Sequence, residues 1–273
     1  MKTTTGGTAR IQSAFREGEQ AFIPFLTAGY PSPELTVDIA LALQEAGASI
    51  LELGVPYSDP LADGPTIQRA SAQALSHGVT IERVIELAAE MRTAGLHIPI
   101  ILFTYFNPVL QYGIERIFQR MEDAQIDGIL IPDLPFEESE EVQGIAERYD
   151  RPLISLVAPT SEQRIRTIAS NARGFLYCVS SLGVTGARSS LDGNVTSFLE
   201  EVKRHASVPV AVGFGISSPE QAALIAPHSD GFIVGSALLE KIGEAQALLS
   251  DRQTKEQGLA IVKKFVMQLQ TGV

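Results

Sequence analysis

Two carboxylates lie eleven positions apart in Leu51-Glu52-Leu53-Gly54-Val55-Pro56-Tyr57-Ser58-Asp59-Pro60-Leu61-Ala62-Asp63-Gly64-Pro65-Thr66. The first, Glu52, stands inside an apolar strand-like run. Strand side chains alternate between faces, so Leu51, Leu53 and Val55 share one face while Ile50, Glu52 and Gly54 share the other. A carboxyl among apolar strand residues resists ionisation, and its pKa rises toward neutrality. That is the property a general acid/base requires near pH 7. The second, Asp63, lies in the Pro/Gly/Asp-rich loop that the strand feeds, and a helix opens at Gly64-Pro65-Thr66. It is placed to serve the same site.

Other chemistries are poorly supplied. The histidines are His77, His97, His205 and His228, and none falls at the C-terminal end of a predicted strand. No His/carboxylate cluster with metal-ligand spacing is visible. No lysine occurs between Lys2 and Lys203, and the later ones fall on predicted helices, so a Schiff-base lysine is missing. The single cysteine, Cys178, sits in the strand-like run 175–179 and reads as a buried core thiol. Carboxylates, hydroxyls and backbone dipoles remain. They suit a substrate that carries its own electron sink.

The elements that must position these groups repeat along the chain. Strand-like runs are read at Ala21–Leu26, Ser49–Gly54, Pro99–Tyr105, Gly128–Pro132, Pro152–Val157, Phe175–Ser180, Pro209–Gly213 and Gly231–Val234. Helical patterns lie between them: Pro33–Ala46 with Ser32 as N-cap, Thr80–Thr93, Ile114–Ala124, Glu137–Arg148, Ser161–Ala172, Val195–His205 and Ser218–Ala226. About eight β-then-α units match an α/β fold of the (β/α)8 TIM-barrel type. The segments Ala9–Glu17 and Lys255–Gln270 would be extra terminal helices. A doubly wound open sheet also alternates, but Thr27-Ala28-Gly29-Tyr30-Pro31 after the first strand is not its Gly-rich fingerprint. With no linker or compositional break, residues 1–273 read as one domain.

In such barrels the active site lies at the C-terminal ends of the strands. Gly215, Gly235 and Ser236 follow the last two strands, where backbone N–H groups and a helix N-terminus commonly receive phosphate. The run 236–241 would be the short extra helix of that site. Of 273 residues, 45% are hydrophobic, enough for a sizeable core. A formal net charge of −11 disfavours a nucleic-acid partner. No apolar run reaches membrane-span length and the N-terminal stretch lacks a signal-peptide core, so the reading is a cytoplasmic protein.

Taken in order, six segments carry a resemblance over essentially the full length: Phe25–Pro31, Glu52–Gln68, Tyr105–Asn107, Pro132–Pro135, Gly183–Gly186 and Gly213–Ser217. The chain resembles the alpha subunits of tryptophan synthase. That family cleaves indole-3-glycerol phosphate to indole and glyceraldehyde 3-phosphate, and indole passes to a beta subunit that uses pyridoxal phosphate. The resemblance implies Glu52 and Asp63 as the catalytic pair. It implies Phe25, Phe103, Leu130, Tyr177 and Phe214 around the indole or the catalytic acid, and Thr185 in a loop that closes over the substrate. It implies Gly186, Gly215, Gly235 and Ser236 for the phosphate. No cofactor or metal is implied in this chain. The implied assembly is an alpha2-beta2 tetramer, with the rim of Asp59, Pro60, Asn107 and Pro135 facing the beta subunit. Ser181-Leu182 departs from relatives that carry an arginine there. Rival readings are a free-standing indole-producing lyase and a regulatory subunit with little chemistry of its own, the latter opposed by the intact Glu52/Asp63 pair.

Overall fold

The computed structural model describes residues 6–179, 193–213, 215–271 and 273. Eight parallel strands alternate with helices. The chain runs α1 (Gly7–Ser13), β1 (Ala21–Thr27), α2 (Pro33–Glu45), β2 (Leu51–Gly54), α3 (Pro65–Ser76), α4 (Ile81–Thr93), β3 (Ile100–Phe103), α5 (Phe106–Tyr112), α6 (Ile114–Asp123) and β4 (Gly128–Leu130). It continues with α7 (Glu140–Tyr149), β5 (Ser155–Val157), α8 (Glu162–Asn171), β6 (Leu176–Val179), α9 (Gly193–His205), β7 (Val210–Gly213), α10 (Pro219–Ile225), β8 (Gly231–Val234), α11 (Ser236–Ser250) and α12 (Lys255–Leu269). The spatial strand order is β4-β3-β2-β1-β8-β7-β6-β5. A parallel bridge between Ile129 and Leu153 brings β4 and the approach to β5 together and closes the ring. Two backbone hydrogen bonds make it, Ile129 N to Pro152 O at 3.0 Å and Ile154 N to Ile129 O at 2.8 Å. The expected TIM barrel is the observed fold.

The alternation read along the second strand separates two cores. Leu51, Leu53 and Val55 face outward into the layer between strands and helices. Ile50 faces inward with Ile23, Ile101, Leu130, Ile154, Phe175, Ala211 and Ile233, which fill the barrel interior. Ile11 of α1 joins this inner cluster, so α1 plugs the N-terminal end. Asp127 ties the same end together, accepting from Arg10 Nε at 2.7 Å, Arg92 Nη2 at 2.7 Å and Ile100 N at 2.8 Å. Burial pulls the Arg92 guanidinium down to about 10 against the opposing pull of Asp127.

Several local expectations are corrected. Ser32 occupies the N-cap position of α2, but its side chain makes no capping hydrogen bond there. Instead Pro33 starts the helix with its φ already set and no amide to satisfy. The stretch beginning at Glu137 divides into a 3-10 turn, Phe136–Glu138, and α7. The helix opening at Ser236 is not short; α11 has 15 residues. Helix α5 was not anticipated. Its seven residues include Pro108 at the third position and carry too little apolar periodicity to stand out. Burial of Cys178 pushes its thiol up, in keeping with a core role.

Candidate active site

The C-terminal ends of the strands surround a cavity of about 840 Å³. Glu52 reaches it from the inward face of β2, in register with Phe25 on β1 and Ile101 on β3. The side chain is 1% exposed, and its Oε1 has no hydrogen-bond partner. Burial alone pushes its carboxyl up to about 8. At neutral pH it therefore holds its proton and can donate it.

Asp63 lines the same cavity from the loop between β2 and α3. Burial raises its carboxyl as well, and the Tyr105 hydroxyl opposes the rise. Tyr105 is 2% exposed, and its oxygen accepts from Ala62 N at 3.0 Å, which fixes the loop next to Asp63. Burial, helped by the Asp63 charge, pushes this phenol up to about 12, so it stays a neutral donor. Tyr105 stacks on Tyr57 at 5.0 Å, and Tyr57 in turn accepts from Asn107 Nδ2 at 3.3 Å. In the sequence Tyr105 stands at the end of the third strand-like run, Pro99–Tyr105. The structure gives it a place beside the acidic loop.

The walls between the carboxylates are apolar. Phe25 and Phe103 meet edge to face at 5.2 Å. Tyr177 lines the cavity from β6, and burial together with the Glu52 charge holds its phenol well above the ordinary range. Its hydroxyl occupies the space over Gly213, where a Cβ would come within 2.2 Å of it. Only glycine lets β7 approach the ring this closely. Leu130 is fully buried in the inner core and is not part of the cavity wall. Leu156, Pro65, Ile67 and Ala237 are wall residues that sequence reasoning missed. Of these, Leu156 was accessible through the alternation of β5.

Gly215, Gly235 and Ser236 also line the cavity. Gly215 has φ +73°, a conformation that side chains with a Cβ rarely adopt. Gly235 is the N-cap and Ser236 the first residue of α11, whose first-turn amides have no partner within the helix. Thr185, Gly186 and Phe214 lie outside the described residues. At this end of the barrel Asp59 and Pro135 are exposed on loops and Asn107 is exposed in the first turn of α5, while Pro60 is half-buried. Asp133, at the end of β4, accepts from Phe106 N at 2.8 Å and caps α5. Among the described residues no group of three His, Cys, Asp or Glu side chains could hold a metal ion.

Residues 11–272 match the family described as tryptophan synthase alpha chain. The chain belongs to that family. It is 55% identical over 261 residues to the tryptophan synthase alpha chain of Halalkalibacterium halodurans, covering 96% of this chain and 98% of the relative. It is 61% identical over 239 residues to that of Geobacillus stearothermophilus, covering 88% and 89%. Among solved structures it superposes on tryptophan synthase subunit alpha from Legionella pneumophila with a TM-score of 0.86 at 34% identity, covering 96% of this chain and 97% of that one. A Mycobacterium tuberculosis tryptophan synthase structure gives 0.84 at 34% identity, covering 98% and 97%. As an alpha chain of tryptophan synthase it is an enzyme subunit. Among the described residues no helix is long and apolar enough to cross a membrane.

Proposed function

We propose that this single-domain alpha chain is a carbon-carbon lyase that cleaves indole-3-glycerol phosphate to indole and glyceraldehyde 3-phosphate. The observation that carries the reading is the Glu52 carboxyl, buried with its Oε1 unpartnered on the wall of a cavity that Asp63 also lines. Glu52, protonated at neutral pH, gives its proton to C3 of the indole ring. The ring becomes an iminium and Glu52 a carboxylate. That carboxylate removes the proton from the hydroxyl on the carbon attached to the ring. The carbon-carbon bond then breaks, its electrons return to the ring, and the carbonyl of the aldehyde forms. Glu52 ends the cycle protonated. Asp63 accepts the indole N–H and stabilises the positive charge that develops on the ring.

Phe25, Phe103 and Tyr177 would flank the indole, and Gly215, Gly235 and Ser236 would receive the phosphate, together with Gly186. Leu130 would support this site from the layer beneath. Thr185 and Phe214 are assigned to the substrate by family resemblance. The rim of Asp59, Pro60, Asn107 and Pro135 is proposed to meet a pyridoxal-phosphate-dependent beta subunit in an alpha2-beta2 assembly in the cytoplasm, while this chain needs no cofactor. The Asn107–Tyr57–Tyr105–Ala62 contacts support this, because they join the rim to the Asp63 loop.

The test is release of indole from indole-3-glycerol phosphate by the purified chain, with and without beta subunit. Cleavage accelerated by the partner is expected. Full activity without any response to the partner would favour the free-standing lyase, and no cleavage in either case would refute the reading.

A further inference from the structure

The charged side chains that line the cavity, among the described residues, are Glu52, Asp63, Glu240 and Arg164. Three are acids, of which Glu52 keeps its proton at neutral pH, so Asp63 and Glu240 carry the negative charge here, within a chain of formal net charge −11. Glu240 is one turn into α11, close to the proposed phosphate site, and accepts from the Thr66 hydroxyl at 2.8 Å. A phosphorylated substrate thus approaches a field that repels it, and backbone amides act only once it has arrived. Arg164 is the one lining cation among the described residues.

Its setting suits a cation that changes partners. Arg164 stands in the first turn of α8, which follows β5, at the mouth of the barrel. It forms part of the wall of both the main cavity and a neighbouring one of about 250 Å³. Its Nη2 donates to Glu137 at 3.1 Å, and the two side chains are 45% and 55% exposed. An ion pair this open to water is held weakly. Glu137 belongs to the 3-10 turn after β4, a different element. Arg164 is therefore tethered over the opening without being locked there. Among the described residues Glu137 is the side-chain partner that holds the guanidinium.

We propose that Arg164 captures the anionic end of the substrate, exchanging Glu137 for the phosphate as it enters. This rests on the reading of the substrate as a phosphate ester. Arg164 is a positioning residue and takes no part in proton transfer.

The experiment compares the wild-type chain with R164Q, R164K and E137Q, assayed with beta subunit on indole-3-glycerol phosphate across ionic strength. R164Q is expected to raise KM by roughly five- to tenfold with kcat within twofold, since one focusing charge has been removed from the cleft. Its kcat/KM should depend less on salt than that of the wild type, because the screened attraction is gone. R164K should recover most of the loss. E137Q should lower KM, and that gain should vanish in the R164Q/E137Q double variant. A fall in kcat with KM unchanged, or an unaltered salt slope in R164Q, would overturn the proposal. Inorganic phosphate titrated calorimetrically against the same chains separates this from the substrate assignment. If the wild type cleaves nothing, the lyase reading fails, while weaker phosphate binding by R164Q still supports capture and equal binding overturns it.

Discussion

Glu52 ties chemistry to stability through one proton. In an unfolded chain a glutamate ionises near pH ~4.3, whereas in the fold burial holds the Glu52 carboxyl up at about 8. Below the lower value both states are protonated and there is no difference. Between the two values the unfolded chain is ionised and the folded one is not, so unfolding releases a proton and stability falls as pH rises. Above about 8 both are ionised and the loss is complete. Glu52→Gln removes this dependence along with the proton transfer. The variant is expected to lose nearly all lyase activity. Its stability relative to the wild type should grow between pH 5 and 8.5, by on the order of a few kcal/mol, as read from urea midpoints. A constant gap across that range would show that Glu52 is ionised in the fold. Asp63→Asn is expected to lower kcat by about 10²-fold or more with little change in KM, because an amide stabilises the developing cation poorly. Steady-state kinetics decide this; an effect on KM alone would make Asp63 a general binding group. The Glu52 environment was legible because strand alternation is local. The contact of Tyr105 with the Asp63 loop was not, since it joins residues 43 positions apart.

Strands were easier to read than the turns between them. All eight were found from short apolar runs, and β8 agrees at both ends, Gly231–Val234. The third and fourth runs overshoot, because Thr104, Tyr105, Ile131 and Pro132 are equally apolar or β-favouring but lie past the last ladder pair, Phe103 with Leu130. Hydrophobic pattern records burial, and Thr104, Tyr105 and Ile131 are buried beyond the ladder. Helix α5 shows the opposite failure, since its start is set by the Asp133 carboxylate from a distant loop. The close approach of β7 to Tyr177 offers a test at this scale. In Gly213→Ala the added methyl would sit 2.2 Å from the Tyr177 hydroxyl, so the ring, which lines the cavity, must move. A displacement of this kind is expected to lower kcat by about 10²-fold with the barrel still folded. Circular dichroism and turnover measured on the same sample check it. Unchanged turnover would mean that Tyr177 does not shape the site.

At the scale of the molecule the two ends of the barrel do different work. The C-terminal end holds the exposed loops, the cavity and the carboxyls of raised pKa. The N-terminal end is closed by α1 and held by Asp127, which joins Arg10 of α1 to Arg92 of α4. Replacing Asp127 by Ala leaves two guanidinium groups without their shared carboxylate. The expected loss is about 3–5 kcal/mol of stability, with kcat unaffected at temperatures where the chain stays folded. Thermal unfolding and turnover at 20–25 °C together test it; a matching fall in kcat would show that the two ends are coupled. None of this bracing was readable beforehand. A (β/α)8 count fixes which elements exist and in what order, but an arginine on one helix and an aspartate at a strand entrance carry no local mark of being partners.

The junction between β4 and β5 gives the barrel a weak direction. Among the described residues the other neighbouring strands are joined by three or four paired positions each, and this one by a single bridge. Thermal breathing will concentrate where the fewest hydrogen bonds have to break. In deuterium exchange the amides of Ile129 and Ile154 should therefore label ahead of those of Leu53 and Ile233. The same junction borders the smaller cavity, which Ile131, Leu153 and Ile154 line. When it gapes, a small uncharged aromatic product has a sideways leak into water, so the escape of indole from the free chain and the exchange of these two amides should slow together when that junction is stapled.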